Sequence, residues 1–392
     1  MRGVALAVVC LSVPAADAAD HPTPNAALLY WHAFAAMPGP KGSGDKLTED
    51  EQKRVDEWET APLDEATGRA LKKHADALAY LHRGAAIAYC LWGSQLDLRR
   101  DGIGTRCPQV ASAHGLRHAA LLRARYRFAN GQAHRAVDDL FALLQFARHL
   151  DVGSSLIGVL VGFGIERDVI RVLASHMWVL AADADLLTAT KAKWVRLPPA
   201  RPMVDALREE RDGFLGMIRR HAVLDPNDQP DDEIGTPIGF IPTLGFLLGS
   251  ETVPQSVATL CDTVERHTER LIQATAVSPE KIAAAEEAFY ANWDKDTAGD
   301  DLIAAVVART FLPAVGNLRR TEAEMQTRRA MLCAALAVAE GGSETLKANP
   351  DPFGNTPFKT RPIGSGYEMT SALGTVIDKP LVLLVRTAKS GK

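Results

Sequence analysis

Short catalytic and metal-binding signatures are absent from the 392 residues. No HExxH, CxxC or tight cluster of His, Cys and Asp offers a metal-ligand set. No Gly-rich loop ending in Lys-Ser or Lys-Thr could cradle a phosphate, and no GxSxG turn could present a nucleophilic serine. Gly162-Phe163-Gly164 lies inside a helical pattern, not between a strand and a helix. These gaps exclude a locally written active site and give no reason to expect a cofactor. A triad assembled from distant residues stays open. A large charge excess is also missing: 44 basic residues face 48 acidic ones, for a formal charge of -4. That balance argues against general attraction to nucleic acid or anionic lipid. Beyond the N-terminus no run of ~20 consecutive residues is free of charge, so no transmembrane segment is expected in the mature chain. The six tryptophans are too dispersed for a carbohydrate platform, and core or seam packing is their default role.

What is abundant is helical periodicity. Three amphipathic patterns follow one another between Ala113 and Met177 with short connections. Ala113, Arg117, Ala120, Leu121, Ala124 and Phe128 share one side of the first. Ala136, Leu140, Leu143, Leu144 and Ala147 share one side of the second. Asn130-Gly131 supplies the turn between them, so the pair reads as an αα-hairpin. Its length, and the small residues Ala119, Ala120, Ala124, Ala136 and Ala147 at the expected crossings, resemble a tetratricopeptide-type repeat lacking the usual Trp and final Pro. The fold class expected is all-α or mostly α: an antiparallel, repeat-like array of helical hairpins with a short C-terminal β-hairpin or meander.

Residues 1–18 read as a signal peptide. Arg2 gives a positive start, Val4 to Val13 an apolar core, and Ala16-Asp17-Ala18 a small-x-small cleavage site. A periplasmic or extracellular location follows as an expectation. A lipoprotein box at Cys10 would need a small residue where Val9 stands. Export would make disulfides chemically possible among Cys90, Cys107, Cys261 and Cys333. The loop carrying Gly102, Gly104 and Pro108 could bring Cys90 and Cys107 together, with separate buried thiols as the other reading.

The helical body is expected over 25–342, with possible subdivisions near 198–202 and 226–250, and a small β-rich tail over 349–392. Thr48 followed by Glu51 matches a capping box, and a single helix is expected from about Asp64 to Cys90. The segment AYCLWG, the Gly- and Pro-containing loop after it and the Leu/Arg-rich hairpin with ANGQ in its turn resemble a group of exported, largely uncharacterised helical proteins of planctomycete-type bacteria. That resemblance covers roughly Asn25 to Met177 and implies export and an all-helical body. That group often has an Asp between Cys and Trp, where this chain has Leu91. Near the C-terminus, DPFGNTPFKTR and GYEMTSALG resemble the end of type II secretion major pseudopilins. The Asp- and Gly-rich calcium loop and the prepilin helix of that family have no counterpart, so neither calcium binding nor pilin assembly is implied.

Glu166 is the residue most out of pattern. It lies among Val159, Phe163, Ile170, Leu173 and Met177 on the wheel, away from Arg167 and Arg171. A carboxylate facing a helix seam must be paired, hydrogen-bonded or protonated. Arg117 occupies the inward arc of the first helix, so an Arg117–Glu166 inter-helix pair is expected. His114 and His118, four residues apart, could hold a metal if a third ligand arrived from elsewhere, but two solvent-facing histidines are the simpler reading. Glu322, Glu324 and Arg329 read as a capped, solvated helix face. DPNDQPDDE lacks the ligand spacing of an EF-hand loop, so a solvated acidic loop is expected there; the apolar half from Ile234 to Leu248 could cover a core, form a lid or face a partner, and 228–248 is the best candidate for partner contact. The function expected is that of an exported scaffold or protein-interaction module whose partner is another envelope or exported protein. An enzyme acting on an envelope polymer, with Glu166 as acid/base, and a helical ligand-binding protein are the alternatives.

Overall fold

The computed structural model describes residues 24–39, 46–93, 107–152, 156–221, 253–296, 315–354, 356–376 and 380–387. These residues form a predominantly α-helical array with a small C-terminal sheet. The 228–248 segment lies outside the described residues.

Helices begin where side chains satisfy their free N–H groups. α1 (Ala26–Ala35) is capped by Asn25. α2 (Glu49–Asp56) carries the capping box, with Thr48 accepting from the Glu51 amide and Glu51 accepting from the Thr48 amide. The single helix expected from Asp64 to Cys90 is two helices, α3 (Glu65–Lys73), capped by Asp64, and α4 (Ala75–Ala85). They divide at His74, which is buried and turns its Nδ1 to the Ala70 carbonyl at 2.9 Å. The apolar period runs through this break undisturbed, so periodicity alone could not reveal it.

The central hairpin is α5 (Pro108–Ala129) and α6 (Ala133–Leu150). Pro108 starts α5 at the position where a missing N–H costs nothing. Gly131, at φ 73°, makes the turn between the helices as its sequence predicts. Ala136, Leu140, Leu143, Leu144 and Ala147 are all buried. Removing the Leu143 side chain beyond Cβ would cost about 2–5 kcal/mol. α7 (Leu156–Ser175) packs on both helices of the hairpin, and α4 packs on α6 from the other side.

α8 (Met177–Ala181) and α9 (Ala184–Arg196) lead to a Pro-rich connection over 197–202, followed by α10 (Met203–His221). α11 (Val253–Ala274), α12 (Ile282–Ala291) and α13 (Trp293–Asp296) follow. α14 (Val315–Gly341) returns to the central helices and touches α7, α8, α9 and α10. The sheet is an antiparallel meander of β1 (Lys359–Ile363), β2 (Gly366–Thr370) and β3 (Val382–Arg386), with α15 (Leu373–Val376) between the last two strands. Leu383 and Val385 of β3 point inward and Leu384 outward. Met369, Leu383 and Val385 belong to the same apolar core as the helices, so the sheet rests directly on the helical body. Among the described residues no helix is long and apolar enough to cross a membrane.

Candidate functional site

Glu166 is fully buried on α7, as its position on the helical wheel predicts, but Arg117 does not reach it. Arg329 of α14 grips both carboxylate oxygens, donating from Nε to Oε1 at 2.6 Å and from Nη2 to Oε2 at 2.5 Å. Arg148 of α6 adds a third bond, from Nη2 to Oε1 at 3.0 Å. Burial pushes this carboxyl's pKa up, but the Arg329 hydrogen bonds and the Arg148 charge outweigh it and hold the group below its ordinary range. Arg117 lies against Gly164 and pairs with Asp168, one turn further along α7. Two residues correspond to about 200° of helix rotation, so the arc facing Arg117 and the arc carrying Glu166 point to opposite sides of α7. Arg329, expected on a solvated face, is therefore the principal partner of the buried acid. Glu322 is not solvated either: it is buried and accepts from the Met203 amide at 3.1 Å.

No disulfide joins Cys90 and Cys107, which the sequence left open between a bridge and separate thiols. Cys90 is buried beside the Ala27 backbone, and burial pushes its thiol up to about 12. Cys107 sits at the start of α5. His114 is exposed, and its ring centroid lies 4.1 Å from that of His118. His118 is half-buried instead of solvent-facing, and burial lowers its pKa to about 4. Among the described residues no group of three or more His, Cys, Asp or Glu side chains could hold a metal ion.

Asp139 and Asp151 are buried acids on or beside α6. Asp139 of α6 is fully buried and accepts from Arg123 at 2.6 and 3.0 Å, from Arg127 at 2.7 Å and shares a 2.7 Å hydrogen bond with His82. It lies on the same arc as Ala136 and Leu143, the kind of out-of-pattern position that singled out Glu166, so a signal for it was present in the sequence. Asp151, just beyond α6, is 2% exposed, and no well-formed hydrogen bond reaches either carboxyl oxygen. Burial pushes its pKa up to about 7, against the opposing pull of Arg148 and the Arg201 backbone. Its Oδ1 lies so close to α7 that a Cβ at Gly162 would stand 2.4 Å from it. No periodicity covers Asp151, and nothing in the sequence marks it.

Two clefts lie along one face of α6, and Asp151 lines the smaller of them. The larger, about 720 Å³, is lined along α6 by Asp138, Phe141, Ala142 and Gln145. The smaller, about 420 Å³, continues from Gln145 through Arg148, His149, Asp151 and Val152. Steps of three and four residues keep one side of a helix in line, so the two clefts form one groove. Its length from Asp138 to Val152 is about 20 Å at 1.5 Å per residue. α4 and the residues after it form one wall, through Leu78, His82, Ala86 and Ala88. The end of α9 and the segment from Leu197 to Arg201 form the other.

The chain matches no protein-family model, no curated protein and no solved structure.

Charge divides this groove unevenly. Arg123, Arg127, Arg135, Lys193 and Arg196 line its larger half. Asp138 and Asp139 are the carboxylates that answer them, through Lys193 on one side and Arg123 and Arg127 on the other. Five cations against two carboxylates leave a clear positive excess. In the smaller half each cation has its own carboxylate, Arg201 pairing with Glu209 and Arg148 with Glu166. His149 is held neutral there, because burial lowers its pKa to about 4. The same histidine joins the groove to the N-terminal helix: it shares a 2.7 Å hydrogen bond with the Tyr30 hydroxyl, and its carbonyl accepts from Trp92 Nε1 at 2.7 Å.

Proposed function

We propose that this protein is an exported helical interaction module that docks a segment of a partner protein in the groove along α6. The observation that carries the reading is the continuity of that groove, with Gln145 in both clefts and α4 and the α9 end on either side. Its floor is fixed by the Glu166–Arg148–Arg329 and Asp139–Arg123–Arg127 networks, so a bound segment would meet a preorganised surface and lose little affinity to reordering. Export rests on the N-terminal pattern of Arg2 and Val4 to Val13 and on the resemblance to exported helical proteins.

The enzyme alternative draws less support. Glu166 is held between two guanidinium groups and lines neither cleft, whereas a general acid must reach the proton it transfers. A photo-crosslinking amino acid at position 145, compared with one at the exposed Leu384 of β3, tests the docking reading in the source cell. A discrete adduct to one partner from position 145 alone is expected. Equal labelling from both positions, or none from position 145, would overturn the reading.

A further inference from the structure

The docking reading says nothing about which chemistry the groove selects. Within its larger half the five cations differ in kind. Arg123 and Arg127 are pinned on Asp139, and Lys193 bonds Asp138 at 2.9 Å. Arg135, in the first turn of α6, and Arg196, in the last turn of α9, have no carboxylate partner among the described residues. Among the described residues Arg196 donates to the Ala192 carbonyl at 3.2 Å, within its own helix. Both side chains are exposed and line the same cleft. Two uncommitted guanidinium groups therefore flank a cleft whose other cations are already locked in place. Guanidinium forks match carboxylates in a bidentate geometry and keep their charge at every physiological pH.

The other end of the groove has the opposite character. Beyond Gln145 the lining cations are already taken, Arg201 by Glu209 and Arg148 by Glu166, so no uncommitted guanidinium lines this end. An occupant that is uniformly anionic along ~20 Å would suit only half of this surface.

We infer that the groove takes a protein segment whose carboxylate side chains are gripped by Arg135 and Arg196 and whose neutral continuation runs past Gln145 toward Asp151. This rests on the docking reading and adds the chemistry and direction of the occupant.

Fluorescence anisotropy on the full chain tests it, with a labelled peptide of several glutamates followed by alanines and serines as the probe. Binding that saturates and weakens as salt rises is expected. Arg135→Glu combined with Arg196→Glu is expected to weaken it by at least about tenfold, because each reversal replaces an attraction with a repulsion. Lys359→Glu, an exposed charge on β1, serves as the control and is expected to leave binding unchanged. Both exchanges are at exposed sites, and an unchanged melting curve establishes that the double variant is folded.

Equal affinities for wild type and double variant would overturn the inference. So would tighter binding of a single-stranded oligonucleotide of matched charge, which would assign the cations to phosphate. Free glutarate competing as well as the peptide would reduce the site to a small-anion pocket and overturn the claim for a segment. If position 145 still crosslinks a partner while the acidic peptide fails to bind, the chemistry inferred here is wrong and the docking reading stands. If position 145 yields no adduct, the docking reading itself fails.

Discussion

Replacing Asp151 by asparagine should make the protein more stable at neutral and alkaline pH, which is unusual for a buried acid. The carboxyl has an ordinary pKa of 3.8 and is pushed up to about 7 in the folded state by burial. Below 3.8 both states hold the proton and the group contributes nothing. Between 3.8 and about 7 the unfolded chain releases it while the folded chain retains it, so unfolding is increasingly favoured as pH rises. Above about 7 the full penalty applies. An interval of about three pH units at ~1.4 kcal/mol each amounts to about 4 kcal/mol. Asparagine preserves the shape and removes the ionisation, but its amide enters a site with few partners, at a cost of about 1–3 kcal/mol. The net gain expected at pH 8 is therefore about 1–3 kcal/mol. Urea denaturation of both proteins between pH 4 and pH 8 measures it. The decisive quantity is the difference between them, because His118, His149 and His176 act in the opposite direction. Burial lowers each of those pKa values to about 4, so they withdraw stability as pH falls below 6.5. A difference that stays constant from pH 4 to pH 8 would refute the reasoning about Asp151.

Glu166→Gln leaves the buried Arg148 and the half-buried Arg329 beside a neutral group and should cost about 3 kcal/mol, read as a lower Tm at pH 7. Because the Glu166 pKa is depressed, its contribution is present above 4.5 and fades as pH falls through the folded value, so the gap from wild type should narrow in acid. Asp139→Asn should be comparably destabilising, since Arg123 and Arg127 lose the carboxylate they share; a melting curve within 1 °C of wild type would contradict that network. Cys90 should resist thiol reagents in the folded protein and react at once in denaturant without any reductant, whereas a disulfide with Cys107 would need reduction first.

The helical array, the Asn130-Gly131 turn and the inward face of α6 were legible because each is written locally, in periodicity or turn chemistry. The burial of Glu166 was legible for the same reason. Its partners were not: Arg148 is 18 residues away and Arg329 is 163, and a wheel reports which side a residue takes without saying which helix lies there. Arg117 looked suitable because it shared an inward arc, yet that arc faces Gly164 and Asp168. Asp139 carried the same signal as Glu166 and could have been found by the same test. The groove was illegible for a different reason. It is a property of several separate segments, among them α4, α5, α6 and the α9 end, whose mutual placement no local pattern encodes.

The fork from Arg329 to Glu166 also governs when the protein can become complete. During synthesis α5, α6 and α7 emerge together, and Arg148 can neutralise Glu166 as soon as they collapse. The second carboxylate oxygen must then wait for a residue 163 positions later. Until α14 arrives, the central helices hold an acid that is only half satisfied and an apolar face that α14 will cover. Domains form from the N-terminus as the chain lengthens, and loops this long close late. The central hairpin can thus take shape well before the charge on Glu166, fully buried against it, is settled.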